Sequence, residues 1–311
     1  MTSIAAHTRP SGTKPNEDWY AATDDMVVVL DGATIRTDTG CVHGLPWYVH
    51  QLGSSLLIAA QNHDMSLPGA IRQAIEQVVA LHRETCDLDH PGTPSAAIGI
   101  VRRIGDRWEW ASLGDVSVLV QTSDGVQMIS DNRVSQIALA ERRECDRYLL
   151  GTDEKLAAIH AMKPVELANR NVPGGYWIAS AVPEAAEHAY TGSVDAGDVA
   201  RLAVCSDGAM RSLDLTSINT PDAVLDVLHA SGPTSLVEHV RAAEVADEDG
   251  RRVPRNKAYD DATAVLIEQA PTRESRHPSE QERQDAIREL TGRMSSDGLL
   301  GATPTRSGTV L

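Results

Sequence analysis

Apolar positions change their period along the chain, and each change marks an element. Met26, Val27, Val28, Val29 and Leu30 form an unbroken apolar run between Asp24-Asp25 and Asp31-Gly32, which predicts a buried central strand with turns at both ends. Two stretches, 46–60 and 68–86, then switch to helical spacing. In the second, Ile71, Ile75, Val78 and Val79 recur on one face, Ser66 stands where it can cap, and Pro68 falls in the first turn. Short runs at 95–104, 107–113, 116–122 and 126–130 are separated by Gly105-Asp106, Gly114-Asp115 and Asp124-Gly125, which predicts an antiparallel meander. Residues 133–146 read as helical, and 147–175 as a loop-rich insertion. Further strands are expected at 176–180 and 199–205, the latter running into Ser206-Asp207-Gly208. Thr220 and Pro221 open a helix, Ser235 with Glu238 has capping-box spacing for another, and 263–268 is the last strand.

Strands in groups with helices inserted in pairs predict an α+β fold with antiparallel sheets, in preference to a doubly wound parallel one. Residues 1–11 are expected as an N-terminal arm, 12–269 as one domain, and 270–311 as a polar, flexible tail. Within that tail Ser279, Glu282, Ile287, Leu290 and Met294 have the spacing of one short amphipathic helix. Because the sequence contains no Phe, its core must be built from Val, Leu, Ile and Ala.

Charge narrows the classes of partner. Asp and Glu number 44 against 28 Lys and Arg, a net charge of -16, which repels nucleic acid and anionic membranes. No apolar run approaches the ~20 residues of a bilayer span, and no basic-then-apolar leader is legible, so the expected compartment is the cytoplasm. Cys41, Cys86, Cys145 and Cys205 include no Cys-x-x-Cys pair and suit a reducing environment. Cys41 with His43 reads as a structural loop, too short and isolated to supply the four ligands of a zinc site.

The candidate chemistry lies where apolar strands end in carboxylates, at Asp31, Asp115, Asp207 and Asp260 with Asp261. A single Asp-Gly is ordinarily a turn, as Asp124-Gly125 is expected to be. The set carries more information. Taking an ionised carboxylate out of water costs several kcal/mol unless a cation offsets it, and no Lys or Arg adjoins Asp31, Asp115 or Asp207. Carboxylates without a His or Cys cluster are hard oxygen donors that suit Mg²⁺ or Mn²⁺. Signatures of P-loop nucleotide hydrolysis, zinc proteolysis and α/β-hydrolase chemistry are absent from the sequence.

In order and spacing, these residues resemble the PPM-type, protein phosphatase 2C-like, metal-dependent serine/threonine phosphatases of the bacterial type. Asn16-Glu17-Asp18 resembles the first acidic motif, Val28 to Gly32 the strand ending in a metal-bridging Asp-Gly, and Gly92-Thr93-Pro94-Ser95 the Gly-Thr-Thr segment. Leu113-Gly114-Asp115 is similar to Gly-Asp-Ser, Cys205-Ser206-Asp207-Gly208 to Ser-Asp-Gly, and Asp260-Asp261-Ala262-Thr263 to the closing Asp-Asn-x-Thr. Each piece is short; six in order over about residues 12–269 form a joint signal. The resemblance implies a four-layer αββα sandwich with metals in a cleft at one edge. It implies two Mn²⁺ or Mg²⁺ ions with room for a third: Asp31 bridging two, Glu17 and the Gly32 carbonyl completing one, Asp207 with Asp260 completing the other. Asp115 would stand near the third position, and Asp18 would orient the attacking water.

The sequence also departs from that pattern. Thr13 stands where the family places a phosphate-clamping Arg, so the expected substitute is Lys14, with Arg9 and Arg36 as alternatives. Ala33 and Thr34 replace Gly-rich residues after Asp31-Gly32, and His43 is the nearest side chain in sequence that could protonate a leaving group. Val116-Ser117 replaces Ser-Arg, and Asp261 adds a charge where Asn is commoner. The expected function is hydrolysis of phosphoserine or phosphothreonine in proteins, opposing a Ser/Thr kinase, without nucleic acid or membrane partners. The alternatives are a catalytically weak regulatory or binding module and a phosphatase of a small phosphoester.

Overall fold

Among the described residues, ten strands pair into two five-stranded sheets, antiparallel throughout. In the computed structural model, which describes residues 2–34 and 36–269, one sheet has the order β2 (Asp18–Thr23), β3 (Met26–Gly32), β4 (Ala96–Ile104), β5 (Arg107–Leu113), β8 (Tyr190–Asp195). The other has the order β1 (Thr2–Arg9), β10 (Ala262–Gln269), β9 (Arg201–Cys205), β6 (Ser117–Thr122), β7 (Gly125–Ile129).

The layering follows from alternation along β3. Val27 and Val29 point between the sheets, where they pack with Val118, Val204 and Val265. Met26, Val28 and Leu30 point the other way, onto helices α1 (Leu45–Ala59) and α2 (Leu67–His82). Both sets are buried, which is why the run reads as continuously apolar. The second sheet's outer face, including Leu119, Ala203 and Leu266, is covered by Val224, Leu225 and Val237 of the long helix at Pro221–Ala246. Helices, sheet, sheet and helices therefore stack in four layers, as expected. Arg102 of β4 is 1% exposed and donates to the Ala60, Asn62 and Met65 carbonyls and to Glu109, tying the α1–α2 turn to the sheet.

Several local expectations change. The segment 1–11, read as an arm, supplies β1, whose eight residues pair with β10; Ile4 and Ala6 pack into the inter-sheet core. The expected meander is broken: β4 pairs with β5 and β6 with β7, but β5 and β6 belong to different sheets. The chain changes sheets at Gly114, whose φ of +83° is accessible to glycine, and Asp115 follows it. Residues 147–175 contain α4 (Asp153–Leu167), capped by Thr152, after the short α3 (Leu139–Cys145). Residues 176–180 make only two isolated bridges, Tyr176 with Arg170 and Ala179 with Ala96, and the strand lies later, at β8.

Two four-residue helices, α5 (Asp207–Met210) and α6 (Ser212–Leu215), precede the long helix, α7. Ser66 caps α2 and Thr220 caps α7, as their side-chain types predict. Ser235 does not open a separate capped helix; α7 instead breaks at Gly232, where φ is +81°, just before Pro233. None of the described helices is long and apolar enough to cross a membrane. The tail from 270 onward and its proposed short helix lie outside the described residues.

Candidate active site

Strand ends from both sheets meet at one edge of the sandwich. β2 contributes Asp18 and β3 contributes Asp31, which are register partners; the crossover contributes Asp115. The other sheet contributes Asp207, directly after β9 and Ser206, and Asp260, just before β10. Asp31 Oδ2 accepts from the Asp207 backbone N–H at 3.2 Å, joining the two halves directly. Asp31, Asp115, Asp207 and Asp260 line a cleft of about 250 Å³.

Their electrostatics show a shortage of positive charge. Burial, then the charges of Asp207, Asp18, Asp115 and Asp260, raises the Asp31 carboxyl well above the ordinary carboxylate range. Burial raises Asp18 to about 8, with Asp207 and Asp261 adding to the shift and bonds from Thr263 and Ser206 opposing it. Burial and the Asp207 charge raise Asp115 to about 7. Among the described residues, the buried Oδ1 atoms of Asp18 and Asp207 have no hydrogen-bond partner. Unpaired oxygens in a dense, partly protonated carboxylate cluster fit a divalent cation, and the all-oxygen donor set fits Mg²⁺ or Mn²⁺.

Backbone geometry holds these donors in place. A Cβ on Gly208 would lie 1.9 Å from the Asp261 carbonyl oxygen, and one on Gly32 2.5 Å from the Glu17 carbonyl oxygen, so both Asp-Gly pairs need glycine for close packing. Gly208→Ala is expected to cost about 2 kcal/mol or more by overpacking. Gly197→Ala, where a Cβ meets nothing within 4 Å, should stay within about 0.5 kcal/mol. Urea denaturation of both variants checks the contrast. Thr263 Oγ1 donates to Asp18 Oδ2 at 2.7 Å and pairs with Thr8 Oγ1, also at 2.7 Å, so the closing motif fixes the first acidic motif. Asp261 accepts from the backbone N–H of Ser11 at 2.5 Å and of Glu17 at 2.6 Å, which spends its extra charge on the 11–17 loop.

Other expected residues stand differently. Glu17 does not line the cleft with the four aspartates; its Oε2 accepts from Thr34 Oγ1 at 2.7 Å, while its carbonyl accepts from Gly32 N–H at 3.0 Å. Gly32 does line the cleft. Lys14 is exposed and outside the cleft lining, and so is not the cation beside the aspartates. Arg36, the alternative, does line it and donates to the Asn256 carbonyl at 3.1 Å. His43 also lies outside the lining, turned toward Cys41 and Cys86.

Two cations that adjoin neither Asp31 nor Asp207 in sequence stand in the same cleft. Lys257 Nζ donates to Asp260 Oδ1 at 2.6 Å and Arg211 to Asp260 Oδ2 at 2.8 Å. Burial works against the Lys257 charge, yet Asp260, Asp207 and Asp31 raise its ammonium above the ordinary lysine range. Arg211 is braced by Glu244 at 2.7 Å, and Arg241 binds both Glu244 and the Asp260 carbonyl. Both oxygens of Asp260 are thus occupied by side chains, whereas Asp31 and Asp207 retain donor capacity. Arg211 could have been found from its i, i+4 spacing to Asp207 at a helix start, and Lys257 from its place three residues before Asp260. One wall of the cleft comes from the segment read as an insertion, through Ile159, Met162, Lys163 and Glu166 of α4.

No family model and no curated protein matches the sequence. Solved structures do match. The serine/threonine phosphatase Stp1 from Staphylococcus aureus aligns over 87% of this chain and 96% of its own, with a TM-score of 0.52 and 14% identity. The PPM Ser-Thr phosphatase MsPP from Mycobacterium smegmatis, in complex with cacodylate, aligns over 86% of this chain and 98% of its own, with a TM-score of 0.51 and 17% identity. The catalytic domain of the phosphatase PstP in complex with two manganese ions covers 86% and 97%, with a TM-score of 0.50 and 14% identity. The shared feature is the fold: two antiparallel sheets between helical layers, the architecture of the PPM-type serine/threonine phosphatases.

Proposed function

We propose that this chain, which has the fold of the PPM-type phosphatases, belongs to that family and hydrolyses phosphoserine or phosphothreonine in proteins with a divalent metal, opposing a Ser/Thr kinase. The observation that carries the reading is the meeting of Asp31 and Asp207 from different sheets, with an unpartnered buried oxygen on Asp207 and another on Asp18. Asp31 and Asp207 would hold Mn²⁺ or Mg²⁺, with Asp115 beside them. When bound, such an ion acidifies water and offsets negative charge on the phosphoryl oxygens. Asp18, which Thr263 holds just off the cleft lining with its second oxygen unpartnered, would orient the attacking water. Lys257 and Arg211 put donors in the same cleft where phosphoryl oxygens need them, the role that the sequence assigned to Lys14.

The pairing of Asp260 with Lys257 and Arg211 supports a second reading, a metal-binding module with weak turnover, because it removes a ligand expected of the second ion. Hydrolysis of an aryl phosphate and of a phosphothreonine peptide, with Mn²⁺ and with EDTA, separates the two. Hydrolysis of both that EDTA abolishes is the expected result. Mn²⁺ binding without turnover of either would favour the module, turnover of the aryl phosphate alone a small substrate, and turnover surviving EDTA would end the metal reading.

A further inference from the structure

Away from the cleft, a second cluster of ligand side chains assembles from two distant segments. Cys41 and His43 lie on the loop between β3 and α1, His82 closes α2, and Cys86 follows four residues later. Cys41 Sγ lies 3.6 Å from His82 Nδ1 and 3.8 Å from His43 Nδ1; Cys86 Sγ lies 3.3 Å from His43 Nδ1 and 3.1 Å from Cys41 Sγ. One donor atom from each of the four residues falls within 4.8 Å of all the others. A tetrahedral zinc centre has ligand-to-ligand edges of about 3.3–3.8 Å, given its Zn–N and Zn–S bond lengths. The four donors therefore stand near the corners such a centre needs.

From this geometry we infer that Cys41, His43, His82 and Cys86 form a structural Zn²⁺ site. The pair judged too isolated in sequence is completed by a second pair whose helical spacing, His82-x-x-x-Cys86, sets both ligands on one side of a turn. The site is built rather than incidental. His82 is 1% exposed. Trp47 stacks on His43 at 4.0 Å and flanks His82 at 5.4 Å, screening both imidazoles. The two ligand segments are also joined by a backbone bond, Asp87 N–H to the Gly40 carbonyl at 2.8 Å. Both cysteines carry free thiols, so binding displaces two thiol protons and leaves two thiolates and two neutral imidazoles around Zn²⁺, a centre of zero net charge. Soft sulfur with imidazole nitrogen selects Zn²⁺, while the all-oxygen cluster selects Mn²⁺ or Mg²⁺, so one chain would sort two metals by donor chemistry.

The loop carrying Cys41 and His43 starts at Gly32, and its Ala33, Thr34, Arg36 and Thr37 line the active-site cleft. Zinc would pin the far end of that loop to α2. The full chain, purified from zinc-supplemented cells, should contain one zinc per chain, read by elemental mass spectrometry whether or not the protein is an active phosphatase. Cys86→Ser should lose that zinc, retain Mn²⁺ binding and melt at a lower temperature. Should Cys86→Ser fold poorly, Co²⁺ titration of the metal-free natural chain gives an independent reading. Thiolate-to-cobalt charge transfer with intense tetrahedral visible bands is expected, which oxygen ligation in the acidic cluster cannot produce. Zinc no higher than in Cys86→Ser, or a reduced chain that gives no thiolate-cobalt bands, would overturn the assignment, as would a Cys41–Cys86 disulfide found in the freshly isolated chain.

Discussion

Asp207→Asn should abolish manganese-dependent hydrolysis and at the same time raise the melting temperature of the metal-free chain. The loss of activity follows from removing a donor where the two sheets meet; losing several kcal/mol of charge stabilisation amounts to at least about a hundredfold in kcat/KM. The gain in stability has a separate cause. Asp207 is among the charges that raise Asp31, Asp18, Asp115 and Asp260, so its neutralisation relieves four repulsions while giving up attraction to Lys257 and Arg211. Relief on the order of 1 kcal/mol, or roughly 2–4 °C in Tm, is expected for a buried pair at an effective dielectric near 20 after solvent screening. The effect also depends on pH. In the folded metal-free chain Asp18 and Asp115 keep protons up to about 8 and about 7, whereas in the unfolded chain they release them near their ordinary value of 3.8. Their contribution is therefore fully present below that value and lost as pH rises through 7 to 8, while Mn²⁺ affinity rises over the same interval. Differential scanning fluorimetry with and without Mn²⁺ at several pH values reads the stability and its pH dependence, and aryl phosphate hydrolysis reads the activity. A variant as stable as the natural chain and equally active would remove Asp207 from the site.

Lys257→Ala is expected to raise KM for a phosphomonoester by about 10- to 100-fold, the worth of one charge-assisted hydrogen bond, and to tighten Mn²⁺ binding by roughly tenfold. The opposite signs arise because one ammonium attracts phosphate and repels a metal ion. Lys257 is the better probe of the pair, because Arg211→Ala would also strip a partner from Glu244, which is fully buried. Steady-state kinetics with isothermal titration of Mn²⁺ provides the measurement. If kcat rises instead and KM is unchanged, Lys257 restrains the site by holding Asp260, and the weak-turnover reading gains.

Asp31, Asp207 and Asp260 were legible because their signal is local: a buried β-branched run breaking into a carboxylate is a strand end whatever surrounds it. Arg211 and Lys257 were not, since their meeting with Asp260 depends on how α5 and the 247–259 loop fold back. The turn at Gly114 looks like part of a meander in sequence because a sheet-to-sheet crossover and a hairpin both begin with a turn glycine. Edge strands β1 and β8 contain no fully buried residue, only half-buried and exposed ones, so their pattern is faint. Helix α4 buries only Lys155, Ile159, Met162 and Glu166 well, too thin a stripe to stand out. Cys41 and His43 failed for a different reason: ligands add up in space, and the completing pair lies about forty residues away in the chain.

A core without phenylalanine also has a bearing on selectivity. The core is not the purely aliphatic one expected, since Trp108, Trp110 and Tyr176 join the valines between the sheets, but at Gly99 the packing is so close that a Cβ would come within 2.4 Å of Val116 and 2.8 Å of Val204. Asp31 hangs from one sheet and Asp207 from the other, so the thickness of that filling sets the bite between them. Small aliphatic side chains thus act as a calliper on ionic radius, and a bulkier interior would open the jaws toward larger cations without altering a single ligand.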